Sequence, residues 1–172
     1  MPATETELFD AFKRLDIAVR TVRHDPVHTV DQAKRVRGSL PGGHAKTLLL
    51  KDKKGRMALA VVHEDRRVDL KALATALDMG RLSFASAERL DRVLGVAPGS
   101  VTPFALINCR PDDIDPPLKV VLDRSLMAHD PLNFHPLHNA ATTAIGRDDL
   151  MRFVRHCGFE PAVIDLDEPD HA

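Results

Sequence analysis

The chain has 172 residues, 44% of them hydrophobic and 28% charged, and its 24 basic and 25 acidic residues leave a formal net charge of −1. This size and composition are typical of one globular domain and exclude a disordered or fibrous chain. The balanced charge, with seven Phe and neither Trp nor Tyr, excludes a protein that binds nucleic acid through bulk positive charge and an aromatic stacking surface.

Helices and strands are interleaved in the first half of the chain. Thr4 and Glu7 form a capping box in front of apolar residues at helical spacing, which predicts the first helix. The predicted elements, in order, are a helix over 4–15, a strand over 17–22, a helix over 30–37 that stops at Gly38, a turn over 40–43, a strand over 47–50, a hairpin turn over 52–55 and a strand over 57–62.

The second half continues this mixture and contains the clearest amphipathic helix. Leu150, Phe153, Val154 and Cys157 follow one another at the spacing of one helix face, and Gly158 ends the helix. The other predicted elements are helices over about 70–77 and over 87–94, a loop over 98–103, and strands over 104–108, 118–123 and 162–166.

The order of elements shows no regular βαβ alternation and includes one evident hairpin. We therefore predict an α+β fold, in which helices pack around a mixed, mostly antiparallel sheet. We expect one domain over 1–172, with an acidic tail at about 167–172. No apolar stretch approaches the roughly 20 residues that span a bilayer, and the two cysteines form no CxxC pair. These features favour a cytoplasmic protein without membrane contact.

The small net charge conceals an asymmetry between the two parts of the chain. Residues 1–71 contain 15 Lys and Arg against 10 Asp and Glu, whereas 72–172 contain 9 against 15. The basic residues come in short groups. These groups are either solvated faces or, together, a modest anion-attracting surface.

Lys46 precedes an apolar strand in the segment Gly-Gly-His-Ala-Lys-Thr. The Lys-Thr pair is that of a phosphate-binding P-loop, but the two glycines of that motif are replaced by Leu40 and Ala45. A P-loop also opens a helix, whereas a strand is predicted here. Lys46 is therefore either a lysine that extends from a strand end into solvent or a cation held at a pocket, where it stabilises an oxyanion.

Two further segments contain residues able to bind a ligand. His129, His135 and His138 lie close together, but Pro131 and Pro136 prevent a helix from aligning two of them. One histidine as a hydrogen-bonding or acid–base group is favoured over a zinc site, and the alternative to both is that these are surface or capped histidines. The loop over 99–103 has Gly and Pro four residues apart, and its N–H groups either face a ligand or belong to a plain connection.

Three segments in order resemble the YbaK/ProX family of aminoacyl-tRNA deacylases, stand-alone relatives of the editing domain of bacterial prolyl-tRNA synthetase. They are the lysine-bearing strand over 41–52, the G-x-x-x-P loop over 94–104, and the His-Pro motif over 133–139, which Thr142 and Thr143 follow. The resemblance extends from about residue 5 to 166. It implies the fold of this family, an α+β fold as predicted from the order of elements.

The resemblance also implies roles for individual residues. Lys46 corresponds to the essential catalytic lysine of the family. The residues implied to bind substrate are Thr47, Gly99, Ser100, Val101, Thr102, Pro103 and His135. The segments around Lys46, at 81–84 and at 133–136 are most similar to the branch that removes alanine from tRNA-Pro, so Ala-tRNA-Pro is the expected substrate. Relatives often have Asn in place of Thr47.

The expected reaction needs neither metal nor cofactor. An aminoacyl ester is already activated, so a positioned water and a stabilised oxyanion suffice. The expected partners are tRNA-Pro, with Lys51, Lys53 and Lys54 as candidate contacts, and prolyl-tRNA synthetase or translation factors as transient partners. DNA is not an expected partner. The alternatives are specificity for another small amino acid such as Ser or Cys, a non-catalytic tRNA- or synthetase-binding module, and a histidine-cluster metallohydrolase.

Overall fold

An eight-stranded sheet with helices packed against it forms the protein, whose computed structural model describes residues 1–27, 29–37 and 40–166. The helices are α1 (Glu5–Arg14), α2 (Val30–Arg37), α3 (Leu70–Leu77), α4 (Ala87–Leu94) and α5 (Arg147–His156). The strands are β1 (Val19–Arg23), β2 (Gly43–Lys51), β3 (Met57–His63), β4 (Ser83–Phe84), β5 (Lys119–Asp123), β6 (Leu132–Phe134), β7 (Ala141–Ile145) and β8 (Ala162–Ile164). The predicted helix stop at Gly38 and the predicted acidic tail at 167–172 lie outside the described residues.

The sheet is mixed, and antiparallel pairs predominate slightly. The strand order is β1-β7-β6-β2-β3-β5-β8, and β4 pairs with β2. Antiparallel pairs are β1 with β7, β6 with β7, β2 with β3 and β2 with β4. The parallel pairs are β2 with β6, β3 with β5 and β5 with β8. The predicted α+β fold with a mixed, mostly antiparallel sheet is therefore confirmed.

The helices form where the sequence pattern predicts them. At α1, Thr4 Oγ1 accepts the Glu7 N–H at 3.2 Å, and Glu7 Oε1 accepts the Thr4 N–H at 3.0 Å, which completes the capping box. At α5, Leu150, Phe153 and Val154 of the apolar face are completely buried, and Cys157, partly exposed, follows the last helical residue. None of the helices in the described ranges is long and apolar enough to cross a membrane.

Strand β3 divides the core because it is buried on both faces. Leu59 and Val61 belong to the larger apolar cluster, which contains α1, α4 and α5, whereas Ala60 and Val62 face the smaller cluster with α3. Successive strand residues point to opposite faces, so a continuous apolar run is expected for a strand covered on both sides.

The predicted strand over 104–108 is wrong, because this segment is a 3₁₀ helix, Pro103–Asn108. Thr102 Oγ1 accepts the Phe104 N–H at 3.3 Å, and Pro103 supplies a φ suited to the first helical position. Phe104 is completely buried and packs edge-to-face against Phe12 and Phe153 at ring-centroid distances of 5.1 and 5.8 Å. Burial explains the apolar composition that suggested a strand.

Three strands were not predicted from the sequence. β4 has two residues, and β6 has three residues that lie between prolines, so neither shows a recognisable alternation. β7 reads Ala-Thr-Thr-Ala-Ile, a weak pattern that is buried only because β1 and β6 pair with it. β2 also begins at Gly43, four residues before the predicted start, so Lys46 lies within the strand and not at its mouth.

Candidate active site

A gap in strand pairing along one edge of β2 creates the site. On this edge β2 pairs with β6 through Gly43 and His44, and with β4 through Leu50 and Lys51. Between these contacts, none of the described strands is in register with residues 45–48 on this side, while β3 pairs along the opposite edge. The gap leaves room for a cavity of about 170 Å³.

Five of the predicted site residues line this cavity together. Lys46 and Thr47 come from β2, Gly99 and Val101 from the loop after α4, and His135 from the segment after β6. They are far apart in sequence, so only the pairing of β2 with β6 and the packing of the loop bring them to one place. Their assignment to catalysis and substrate binding stays a prediction.

The other predicted loop residues do not line the cavity. Ser100 is buried, and its N–H donates to the Ala97 carbonyl at 3.0 Å. Thr102 is buried at the start of the 3₁₀ helix, and Pro103 is buried beside it. These residues shape the loop that presents Gly99, whose φ of +88° favours glycine.

The candidate tRNA-contacting lysines lie at the far end of β2. Lys51 ends the strand, and five residues of extended chain separate it from Lys46 by about 17 Å. Lys53 and Lys54 are exposed in the hairpin turn that follows. None of the three lines the cavity, so their contact with tRNA stays a prediction about the outer surface.

Two glycines let β2 approach β6 at the edge of the site. Gly42 has a φ of +100°, and a Cβ there would overlap the Pro131 carbonyl oxygen. A Cβ on Gly43 would lie 2.8 Å from His129 Cβ. The glycine pair that suggested a flexible turn is therefore required for close packing, and this packing positions the first residues of β2 next to Asn133.

Lys46 supplies the cation of the cavity. Its side chain is partly exposed, and in the described part of the chain its ammonium forms neither a hydrogen bond nor a salt bridge. Lys46 pairs with Val62 in the β2–β3 ladder, so its backbone is held on a central strand. A cation on a rigid element that forms no direct ion pair is suited to stabilise a negative charge on a bound ligand.

His135 is a neutral hydrogen-bond acceptor toward the cavity. Burial lowers the pKa of His135, the hydrogen bond to the Ala141 carbonyl raises it, and the electrostatic influence of His24 and His138 lowers it further, so that the net shift is downward. Nδ1 lies 3.0 Å from the Ala141 carbonyl oxygen. Because a carbonyl only accepts, Nδ1 carries the proton and Nε2 has a free lone pair.

The other two histidines of the cluster have different surroundings. His138 Nε2 lies 2.8 Å from Glu5 Oε1, and the His129 ring packs against the His63 ring at a centroid distance of 5.6 Å. Within the ranges described, no three or more His, Cys, Asp or Glu side chains form a group able to hold a metal.

Several other residues that line the cavity were given no role from the sequence. They are Val27, Thr29, Val30, Ala33, His44, Ala45, Glu64, Asn133, Phe134 and Thr142. His44, Ala45, Asn133, Phe134 and Thr142 lie in or directly after the recognised motifs, whereas the others lie outside them. Among those outside, Glu64 has a sequence signal, since it is an acid directly after the apolar run of β3.

Comparison with known protein sequences gives consistent similarities. The family described as the aminoacyl-tRNA editing domain matches residues 24–153. The prolyl-tRNA editing protein ProX of Acetoanaerobium sticklandii is 33% identical over 153 residues, which cover 88% of this chain and 91% of that protein. The prolyl-tRNA synthetase associated domain-containing protein 1 of Bos taurus is 36% identical, with 88% and 90% covered.

A third relative is named for a different amino-acid specificity. The multifunctional Ser/Thr-tRNA deacylase ProXp-y of Escherichia coli strain K12 is 31% identical over 107 residues, which cover 60% of this chain and 59% of that protein. Among solved structures, a candidate trans-editing enzyme for prolyl tRNA synthetase superposes with a TM-score of 0.70 at 20% identity, covering 98% of this chain and 100% of that one. This last similarity supports the fold alone.

Proposed function

Because the chain belongs to the aminoacyl-tRNA editing domain family and is an aminoacyl-tRNA deacylase, we propose that it hydrolyses alanine from mischarged tRNA-Pro. The observation that carries this proposal is the size of the cavity at Lys46. At about 170 Å³ it is smaller than the roughly 300–1,000 Å³ of pockets for drug-sized ligands. It therefore suits a small aminoacyl group at the tRNA terminus.

An editing site of this kind has to distinguish alanine from proline by the size of the side chain. One methylene in an apolar pocket discriminates by only about 1–3 kcal/mol, so a synthetase that accepts proline cannot strongly reject alanine. A second site that admits the methyl side chain and excludes the proline ring corrects this error. Val27, Val30, Ala33 and Val101 give the cavity apolar walls that support this selection.

The proposed chemistry uses the Lys46 ammonium as the cation and His135 Nε2 as the hydrogen-bond acceptor. A water attacks the ester carbonyl, and the tetrahedral intermediate places negative charge on the former carbonyl oxygen, which Lys46 stabilises. The bond to the ribose oxygen then breaks, and alanine and free tRNA leave. His135 Nε2 accepts a hydrogen bond from the water or from a ribose hydroxyl, and Thr47 together with the Gly99 loop backbone holds the substrate in place.

The acid limb of the pH profile is expected to depend on His135. Its pKa lies below the usual 6.5, so the ring stays neutral at pH 7 and becomes protonated, and unable to accept, only as the pH falls through that lowered value. The kcat/KM of deacylation should therefore decrease below about pH 6.5. His135→Ala should reduce activity about tenfold and remove this limb. A variant that retains the wild-type limb, while circular dichroism shows an intact fold, contradicts the role.

A panel of mischarged tRNAs tests the proposed function. Purified protein is incubated with labelled Ala-, Ser-, Cys- and Pro-tRNA-Pro and with Ala-tRNA-Ala, and ester hydrolysis is followed over time. We expect Ala-tRNA-Pro to be deacylated at least about tenfold faster than Pro-tRNA-Pro. No hydrolysis of Ala-tRNA-Pro above the spontaneous rate rejects the proposal.

Serine is the second candidate for the removed amino acid. The hydroxyl-bearing residues Thr47 and Thr142 line the cavity, and the relative in Escherichia coli is named a Ser/Thr-tRNA deacylase. However, Thr142 Oγ1 is already in hydrogen-bond contact with His24 Nε2 at 2.8 Å. The same panel separates the candidates, since fastest hydrolysis of Ser-tRNA-Pro favours this one.

We propose a single editing domain over 1–172 that acts in the cytoplasm on tRNA-Pro, with prolyl-tRNA synthetase as a transient partner. Replacing Lys51, Lys53 and Lys54 together with alanine should weaken tRNA binding and flatten its dependence on salt, because up to three phosphate contacts are lost. Fluorescence titration with uncharged tRNA-Pro at several salt concentrations measures both effects. Lys13→Ala, on α1, is the control, and an unchanged affinity in the triple variant contradicts the contact.

A further inference from the structure

Glu64 places a buried carboxylate in the wall of the cavity that Lys46 also lines. Its side chain is only 7% exposed. Lys46 lies opposite Val62 in the β2–β3 ladder, and the Glu64 N–H donates to the His44 carbonyl oxygen at 2.8 Å. Glu64 follows β3 directly, and its hydrogen bond to His44 continues the β2–β3 pairing by one position, which makes Lys46 and Glu64 diagonal neighbours, about 7–8 Å apart.

Hydrogen bonds on both sides hold Glu64 in position. The preceding His63 N–H donates to Asp123 Oδ2 at 3.0 Å, and Arg66 Nε donates to the same oxygen at 2.7 Å. Asp123 is completely buried at the end of β5. The turn that carries Glu64 is thus tied to the central sheet, which fixes the backbone from which the carboxylate extends.

We propose that Glu64 binds the α-ammonium group of the amino acid that is to be removed. An aminoacyl ester has two polar groups on adjacent carbons, a carbonyl that gains negative charge and an amine that is mostly protonated near neutral pH. A cation and a carboxylate on one cavity face are complementary to this pair. Glu64 takes part in a further interaction within the protein, and a carboxylate, with about four lone-pair sites, accepts more than one N–H.

This inference rests on the proposed function and defines the substrate class more closely. Esters of amino acids with a free α-ammonium group are substrates, because Glu64 pairs with the charge. Esters whose amine is acylated, such as peptidyl or formylated ones, carry no positive charge there and do not form the charge-assisted hydrogen bond with Glu64. The site therefore selects against them by charge as well as by size.

Two stable adenosine derivatives test the pairing without a reaction. In the first, alanine is joined to the 3′ position through an amide. The second has lactate instead, so that a hydroxyl replaces the ammonium group. Both are titrated by calorimetry into the wild type, into Glu64→Gln and into Glu88→Gln, an exposed position on α4 that controls for the lost charge. We expect the wild type and the control to bind the alanyl compound at least about tenfold more tightly than the lactyl compound.

In Glu64→Gln the preference should fall to about twofold or less, while the affinity for the lactyl compound stays within about threefold of wild type. Equal binding of both compounds by the wild type overturns the inference, as does a preference that survives in Glu64→Gln. If Glu64→Gln does not fold, Glu64→Met replaces it, since it also removes the carboxylate at similar volume, and an unchanged preference there overturns the inference too. If the wild type hydrolyses Ala-tRNA-Pro but binds the two compounds equally, only the role of Glu64 is rejected. If it neither hydrolyses Ala-tRNA-Pro nor binds the compounds, the proposed function is rejected as well.

Discussion

Replacing Lys46 with alanine is expected to lower the rate of Ala-tRNA-Pro deacylation by at least about 100-fold. Removal of one oxyanion-stabilising group typically reduces kcat by about 10²–10³-fold. The effect should be at this level because, in the described part of the chain, the Lys46 ammonium forms neither a hydrogen bond nor a salt bridge and is available to the substrate. Single-turnover hydrolysis of labelled Ala-tRNA-Pro measures the rate of the chemical step.

Two further variants make this result specific. Lys13→Ala removes the same side chain from α1, outside the cavity, and its single-turnover rate at saturating enzyme should remain within about threefold of wild type. Lys46→Arg keeps the charge but alters its geometry and should retain part of the activity. Full activity in Lys46→Ala would show that another group stabilises the oxyanion, and the assigned catalytic role would be wrong.

Replacing Asp123 with alanine is expected to destabilise the fold by about 3–5 kcal/mol, because one partner of a buried ion pair is removed. Asp123 accepts bonds from the His63 N–H, Arg66 Nε and the Ser125 N–H. Arg66 would be left largely buried beside the vacated position. Urea unfolding followed by circular dichroism measures the change. Asp149→Ala, which breaks a surface pair with Arg152, should lose less than about 1 kcal/mol.

The free energy of unfolding that Asp123→Ala loses should also depend on pH. Burial raises the pKa of Asp123, but the hydrogen bonds from His63, Arg66 and Ser125 outweigh it and hold the pKa below the usual 3.8. The native state therefore binds this proton less readily than the unfolded state. The resulting stabilisation is complete above pH 3.8 and is lost as the pH falls through the lowered value. The difference between wild type and Asp123→Ala should shrink in acid; a constant difference contradicts this linkage.

The helices could be predicted because their signals are local. The capping residues of α1 and the apolar spacing of α5 lie within one or two turns, and the structure has both helices within a few residues of the predicted limits. The hairpin of β2 and β3 was predictable for the same reason. The segment 104–108 was misjudged because an apolar run alone does not distinguish a buried strand from a buried 3₁₀ helix.

The cavity could not be derived from local patterns. The motifs around Lys46, Gly99 and His135 indicated which segments matter, but β6 and β7 are too short or too weakly patterned to reveal their pairing. Glu64 is brought beside Lys46 by strand register, and Ser100 is removed from the cavity by the fold of its own loop. Such contacts connect residues distant in the chain.

Composition and local spacing therefore determined the helices, the central hairpin and the order of motifs that resembles aminoacyl-tRNA deacylases. Only the tertiary structure decided that Lys46 lies inside a strand beside an unpaired edge, that His135 is neutral with Nε2 as acceptor, and that a buried carboxylate shares the cavity. The physical reason is that capping and periodicity act between neighbours in sequence. Cavity shape, burial and proton affinity, by contrast, depend on which distant segments pack together.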